Sequence, residues 1–394
     1  MKKQATTTTL YPKTLLLGVQ TPANHAVNKE SYFEEFYNLA KTNGVQNPIQ
    51  HNIRLRAIDS GYFLTQGKRE EVKALCIEQG IEQVIISEPL TARQASNLVE
   101  LLECNIFDRT ELILEIFEKS AHTAEGKLQV AIARLQHKKS RLAGKGIHFG
   151  QQCGSIGVRG GFGETAKEKE TRHIESGILQ LKKHLKKMHK ARETRRKQRL
   201  SNKELNFCLI GYTNAGKSTI LNTLTNSSVL AEDKLFATLD TTTRALFIHG
   251  QKKGVLSDTV GFIQQLPTRL IEAFKSTLSE LNLADLLLHV VDVSDPGWEN
   301  HIRVVHDILD DLRVTTPILY VFNKTDKIDI TFLTRALEKY QPHVMVSSLT
   351  RTGINSLIEY LKDWQPVVED QIEEQDEIEK SDDENEEKDE NNID

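Results

Sequence analysis

The sequence has few of the features that mark secreted, metal-stapled or membrane-spanning chains. Its 394 residues include four cysteines, Cys76, Cys104, Cys153 and Cys208, far apart and without a CxxC pair. That argues against a disulfide scaffold and a cysteine-based zinc site, and it suits a reduced cytosolic protein. No stretch approaches the roughly 18 apolar residues needed to span a bilayer. The N-terminus begins with two lysines, Lys2 and Lys3, but its apolar run is too short for a signal peptide and lacks a cleavage pattern. Net charge is also nearly absent, 51 Lys+Arg against 55 Asp+Glu giving −4. This last shortage misleads, because the charges are segregated. From Glu369 to Asp394 there are 15 acids and two lysines, a net of −13, so the rest of the chain carries +9. Lys182–Arg199 alone holds 10 basic residues and one acid. A near-neutral sum therefore does not exclude a polyanionic partner.

With 38% hydrophobic and 27% charged residues the chain reads as globular, and its length suggests two or three domains. The first ~110 residues alternate strand-like and helix-like segments. TLLLGV (14–19), IRLRAI (53–58), QVIIS (83–87) and CNIFD (104–108) read as strands, and 29–42, 68–79 and 91–103 as helices. This rhythm predicts a small α/β domain with a mainly parallel sheet. It lacks a phosphate-binding glycine motif. Gly67-Lys68 at a loop-to-helix boundary is either an anion contact or a turn.

Two long helical patterns follow, 111–142 and 171–200. Leu128, Ile132, Leu135 and Leu142 keep a heptad-like seam, matched by Ile174, Ile178, Leu181, Leu185 and Met188. They predict a coiled-coil-like hairpin. Its connection, 144–163, holds eight of the chain's 22 glycines and so has little with which to build a core. The α/β rhythm returns from about 205 to 366, and the acidic, apolar-poor tail beyond it is expected to be disordered. The expected fold class is α/β. The N-terminal domain spans 1–110, the hairpin 111–203, a P-loop domain with a mainly parallel sheet 204–366, and the tail 367–394.

The strongest chemical signal is NFCLIGYTNAGKSTILNTL (206–224), an apolar strand, then Gly211-Tyr212-Thr213-Asn214-Ala215-Gly216-Lys217-Ser218, then a helix. Glycines at both ends of such a loop let main-chain N–H groups curl around phosphate oxygens. Lys217 is expected to bridge the β- and γ-phosphates, and Ser218 to ligate Mg²⁺. Further on, LSDTVGFI (256–263) contains Asp258-Thr259-Val260-Gly261. Asp258 is expected to reach Mg²⁺ through water, and the Gly261 N–H to sense the γ-phosphate. ILYVFNKTD (318–326) ends in Asn323-Lys324-x-Asp326, and a carboxylate there can accept both N1–H and N2–H of guanine, donors that adenine lacks. Ser347-Ser348-Leu349 could offer a main-chain N–H to guanine O6. The ordered set points to GTP and GDP rather than ATP.

The intervening Phe236-Ala237-Thr238-Leu239-Asp240-Thr241-Thr242-Thr243 is threonine-rich, and one threonine is expected to close on Mg²⁺ as a switch. Spacing does not choose among Thr238, Thr241, Thr242 and Thr243. Where Ras-like enzymes orient water with glutamine, just after the Asp-x-x-Gly glycine, this chain has Phe262. Gln264 and Gln265 are near but out of register, so intrinsic hydrolysis should be slow.

GYTNAGKST, FATLD followed by TTR, DTVGFI and NKTD resemble the HflX GTPases, relatives of the Obg group. DRTELILEIF (108–117), EGKLQVAIARLQ (125–136) and GGFGETAKEKETRH (160–173) carry the likeness upstream, so that it covers about residues 10 to 366. The resemblance implies a cytosolic GTPase that binds the large ribosomal subunit and dissociates or rescues stalled or idle ribosomes. It implies Thr238 as the switch threonine on Mg²⁺, with Lys217, Thr238 and Gly261 as the catalytic set. It also implies a glycine-rich tip reaching towards the peptidyl-transferase region, and for some members ATP binding at the N-terminal domain. The sequence departs from the family's usual GPGE at Gly161-Phe162-Gly163-Glu164, and from Asp-Arg-Arg at Thr171-Arg172-His173.

A +9 excess over 18 residues exceeds that of an ordinary solvated helix face and favours phosphate contacts, which the resemblance makes ribosomal RNA. His184 and His189, with no cysteine nearby, read as solvated rather than metal-binding. A monomer with neither DNA nor a membrane span is expected. The alternative function is a GTP-dependent ribosome-assembly or RNA-binding placeholder with negligible turnover. The tail reads as a solubilising extension, an RNA mimic folded back on Lys182–Arg199, or a dock for a basic partner.

Overall fold

The computed structural model describes residues 12–22, 29–144, 166–200, 204–225, 235–236, 242–265, 281–329 and 334–366. The N-terminal part is built on β1 (Thr14–Gln20), whose leucines 15 to 17 are fully buried. A continuous apolar run is what a parallel strand covered on both faces requires. Around it lie α1 (Lys29–Thr42), β2 (Ile49–Arg54), α2 (Gln66–Gln79), β3 (Gln83–Ile86), α3 (Ala92–Leu102) and β4 (Asn105–Phe107). The four strands form one parallel sheet in the order β2-β1-β3-β4. The strand expected at 53–58 lies earlier in the chain. β2 pairs Ile49 to Arg54 with β1 and then runs out of partner, because β1 ends at Gln20. As an edge strand it buries only Ile53, so its apolar signal is weak.

The single helical pattern expected at 111–142 is two helices, α4 (Arg109–Ser120) and α5 (Ala124–Gly144). The Asp108 side chain accepts from Glu111 N at 2.8 Å and starts α4. Ala121 is extended, and Thr123 Oγ1 accepts from Gly126 N at 3.0 Å to start the next helix. The apolar period runs unbroken across this corner, which is why the sequence hides it. α5 pairs antiparallel with α6 (Ala166–Leu200), tied by Lys138–Glu170 at 3.0 Å and Lys139–Glu175 at 2.7 Å, with Ile132 and Ile174 buried in the seam. The expected glycine-rich tip, 144–163, lies outside the described residues except for Gly144 at the end of α5, and so does the tail, 367–394.

The second sheet has six strands, ordered β10-β9-β8-β5-β7-β6. They are β5 (Leu205–Gly211), β6 (Thr242–Ile248), β7 (Gln251–Asp258), β8 (Leu286–Asp292), β9 (Ile318–Asn323) and β10 (His343–Met345). All pairings are parallel except that of β6 with β7, so the sheet is mainly parallel as expected. α7 (Lys217–Thr225) follows β5. After β5 the chain goes to the edge strand β6 and returns through β7 beside β5. It then crosses to β8 on the other side of β5 and runs outwards to β10, so the connections change side at β5. The crevice at the carboxyl end of β5 is therefore where such a sheet binds ligands. The two sheets also share apolar packing, since one buried cluster joins Leu16, Phe36 and Leu112 to Tyr212, Phe236 and Phe262. Within it the Phe117 and Phe236 rings meet edge to face at 4.6 Å.

Candidate functional site

The loop from β5 into α7 needs two backbone conformations that side chains resist. Gly211 has φ +141 and Gly216 φ +99. A Cβ on Gly216 would lie 2.2 Å from Asn323 Nδ2, and one on Gly211 2.2 Å from the Val290 carbonyl oxygen. Glycine is thus required on steric grounds at both ends of the predicted loop. Asn214 between them also takes positive φ, +60. Lys217 is buried on the first turn of α7, and its ammonium donates to Gly211 O at 3.1 Å and Tyr212 O at 2.8 Å. Burial pushes its pKa down to about 8, against the opposing pull of Asp258. Ser218 Oγ donates to Asp258 Oδ2 at 2.6 Å, so the hydroxyl and carboxylate expected near Mg²⁺ are side by side. Both are hard oxygen donors of the kind Mg²⁺ takes, and the residues fit that ion.

The segment after β7 lies along the loop. Thr259 Oγ1 donates to Leu209 O at 2.7 Å. Phe262 N donates to Gly211 O at 3.1 Å, and Thr213 N to Phe262 O at 2.8 Å. Gly261 sits against Thr213 and Lys217, where a Cβ would be 2.8 Å from Thr213 Cγ2 and 3.0 Å from Lys217 Nζ. Val260 and Phe262 are buried in the shared core. The side chain standing where a water-orienting glutamine would be thus points into the protein.

On the other flank, Asn323 is fully buried and joins two loops. Its Nδ2 donates to Ala215 O at 2.8 Å, and its Oδ1 accepts from Ser348 N at 3.0 Å. Lys324 has φ +62, and its Nζ pairs with Asp292 at 2.6 Å. Asp326 Oδ1 accepts from Ser347 Oγ at 2.6 Å, and Leu349 is exposed. The structure therefore brings Gly211–Ser218, Asp258–Gly261, Asn323–Asp326 and Ser347–Leu349 to the carboxyl ends of neighbouring strands. Of the switch segment, Phe236 is buried with φ +57, whereas Ala237, Thr238, Leu239, Asp240 and Thr241 lie outside the described residues. In the N-terminal part, Gly67 and Lys68 belong to the first turn of α2, and Lys68 Nζ pairs with Glu71 at 2.5 Å on an exposed face.

Sequence reasoning missed a buried polar network behind this site. Glu35 of α1 accepts hydrogen bonds from the Tyr212 hydroxyl and from Arg109 Nη2. The same Nη2 donates to Gln264 O at 3.0 Å, and Gln264 N donates to the Tyr212 hydroxyl oxygen at 2.8 Å. Tyr212 is flat against His301, with ring centroids 3.8 Å apart. Tyr32 adds a contact from its hydroxyl to Gln265 Oε1 at 3.1 Å. Burial drives the Glu35 carboxyl upwards while Arg109 holds it down. A signal for the network was available. Tyr32, Glu35, Phe36 and Leu39 share one helical face, so Glu35 is an acid in a core position. Arg109 lies in the DRTELIL segment, whose likeness to the family carries no signal of where the guanidinium goes.

Residues 206–324 match the family described as "50S ribosome-binding GTPase". Residues 30–118 match "GTP-binding GTPase N-terminal", and 120–199 match "GTP-binding GTPase Middle Region". The GTPase HflX of Caldanaerobacter subterraneus is 40% identical over 334 residues, covering 84% of this chain and 77% of that protein. The chain belongs to the HflX family of GTPases. The GTPase HflX of Escherichia coli is 38% identical over 84% of the chain and 78% of its own length. A crystal structure of SsGBP with GDP superposes with a TM-score of 0.50 at 23% identity, over 89% of this chain and 97% of that one. That likeness shows the HflX-family chain and SsGBP to share a fold. Among the described residues no helix is long and apolar enough to cross a membrane.

Proposed function

We propose that this HflX-family GTPase works on the large ribosomal subunit, contacting ribosomal RNA through the hairpin and dissociating or rescuing stalled or idle ribosomes. It is an enzyme that binds guanine nucleotides and hydrolyses GTP. The observation that carries the chemistry is the 2.6 Å contact of Ser218 with Asp258, made beside a loop that only glycine can close.

In the proposed assignment the main-chain N–H groups of Gly211–Gly216 surround the phosphates. Lys217 leaves its two carbonyl partners for the β- and γ-phosphate oxygens. Ser218 and Thr238 would hold Mg²⁺ directly, with Asp258 behind a water, and the ion when bound neutralises phosphate charge. Gly261 N–H would meet the γ-phosphate, with Thr259 and Val260 positioning it. Asp326 would read guanine N1–H and N2–H, supported by Asn323 and Lys324, and the Ser347–Leu349 loop would offer N–H to O6. Because Phe262 points inwards and Gln264 and Gln265 are engaged by the N-terminal part, slow turnover is expected until a partner rearranges the segment after Gly261. The Glu35–Arg109–Tyr212 network supports coupling of that segment to the N-terminal part and hairpin.

Ribosome contact is supported by the family description matched by residues 206–324 and by exposed Lys182, Lys183, Lys186 and Lys187 on α6. The glycine-rich tip would extend the same arm, and the setting would be the cytoplasm, with the protein acting as a monomer. The test is GTP turnover with and without large ribosomal subunits, beside light scattering of intact ribosomes. Stimulated turnover with dissociation supports the proposal. Binding without stimulation would favour the placeholder role, which the inward Phe262 keeps as the second reading.

A further inference from the structure

The basic helix and the acidic tail are far apart in sequence, yet they leave the folded protein at one place. α6 ends at Leu200, and four residues later Glu204 pairs with Lys252 at 2.5 Å beside the start of β5. The next lysine, Lys253, donates to Lys362 O at 2.8 Å and Trp364 O at 2.9 Å. The Trp364 ring packs on Phe207 of β5 at 5.6 Å. Residues 367–394 therefore begin at the foot of the helix that carries Lys182–Arg199.

α6 has 35 residues and its partner α5 has 21. Lys138–Glu170 and Lys139–Glu175 align the two at the hairpin tip, so the unmatched length is at the end nearest the second sheet. That end holds most of the basic stretch. On the stretch's described part, Lys182, Lys183, Lys186 and Lys187 are all exposed.

We propose that residues 367–394 dock back along the Lys182–Arg199 stretch of α6 and compete with polyanions for it. The charges are opposite in sign and comparable in size, −13 against +9. Reach is ample. The basic stretch is about 26 Å long at 1.5 Å per residue, and the 28-residue tail can span roughly 95 Å when extended. Tethering at the helix foot gives the tail an effective concentration on the order of millimolar, which lets individually weak charge pairs compete. Salt weakens such contacts, because exposed charges are screened over about 8 Å at physiological ionic strength. The docking itself needs no ribosome. Only its use as a regulator rests on the function proposed above.

The test uses the full chain, a chain ending at Pro366, and a full chain with E373Q, E374Q, D376N, E377Q and E379Q. Zero-length carbodiimide crosslinking at 50 mM and 300 mM KCl, without RNA, is mapped by mass spectrometry. Tail carboxylates are expected to join lysines 182–190 within one molecule at low salt, with loss at high salt. Anisotropy with a fluorescent RNA hairpin should show the shortened and neutralised chains binding roughly three- to tenfold tighter at 50 mM KCl, converging with the full chain at 300 mM. Crosslinks to other lysines, crosslinks only between isotopically distinct molecules, or equal RNA affinity in all three chains at 50 mM would each overturn the proposal. Failure of the ribosome reading would appear separately, as intact crosslinks with no co-sedimentation of the shortened chain with large subunits.

Discussion

Arg109, on the first turn of α4, donates from Nη2 to the main-chain carbonyl of Gln264, three residues beyond Gly261, at 3.0 Å. The N-terminal part of the molecule thus holds the backbone of the segment expected to sense the γ-phosphate. Tyr212, from the phosphate loop itself, takes the N–H of the same Gln264. Both main-chain polar groups of one residue are claimed by different parts of the fold, through one shared carboxylate, Glu35.

The Arg109–Glu35 pair is buried, and Arg109 Nε and Nη1 have no hydrogen-bond partner among the described residues. Its desolvation is only partly offset, aided by the Tyr32 ring 5.0 Å from the guanidinium carbon. Arg109→Met alone should cost about 3–5 kcal/mol by leaving a buried carboxylate, and R109M with E35L should recover much of that. Urea unfolding of the two single variants and the double variant measures it. Additive losses would show that the pair is not coupled.

Tyr212→Phe removes one hydroxyl that serves both Glu35 and Gln264. A buried N–H left without its acceptor costs about 1–3 kcal/mol. Amide exchange at 262–265 is expected to accelerate at least tenfold in Y212F, with exchange in β1 and β3 unchanged. Equal protection in both proteins would mean that the hydroxyl does not hold this segment.

Lys217 has its pKa lowered to about 8 by burial. Nucleotide phosphates favour the ammonium, so above pH 8 binding must take up a proton. Affinity for GDP should therefore fall as pH rises past 8, by up to about tenfold per unit. Calorimetry in buffers of different ionisation enthalpy should show proton uptake at pH 8.5 and little at pH 6.5. Lys217→Ala should abolish binding at every pH.

His289, in the middle of β8, is buried with Nδ1 unpartnered among the described residues. Burial, then the nearby His306 and Lys217, push its pKa down to about 3. The folded state prefers the neutral ring, so this contribution is intact above the unfolded pKa of about 6.5 and is lost as pH falls. The loss should approach 1.4 kcal/mol per pH unit between roughly pH 6 and 4. His289→Leu should flatten that dependence in denaturation curves taken across the range.

Gly216→Ala would place a methyl 2.2 Å from Asn323 Nδ2 at φ +99. Because Asn323 also holds Ser348 N, the clash disturbs two loops at once. GDP affinity should drop by at least a hundredfold while the circular dichroism spectrum is retained. Near-normal affinity would show that the loop relaxes cheaply.

Legibility followed periodicity. Helix 29–42 was marked by its apolar face, and β1, β3 and β9 by unbroken apolar runs that only a doubly covered parallel strand tolerates. Signals failed where burial is one-sided or a period crosses a corner. β2 is an edge strand, and α4 passes into α5 without a break in apolar spacing. At the candidate site, Gly211, Gly216 and Lys217 were legible because phosphate cradling needs fixed residue types at fixed spacing, and Asn323 belonged to an equally recognisable motif.

What the sequence determined by itself was the chemistry of short segments: the phosphate loop, the guanine-reading motif, the Phe262 substitution and the separation of +9 from −13. These depend on neighbours along the chain. Tertiary structure alone decided that Glu35, Arg109, Tyr212 and Gln264 meet, and that the tail starts at the foot of the basic helix. Both are contacts between residues scores of positions apart, brought together when two sheets close on one apolar core. No local period or spacing encodes such an encounter.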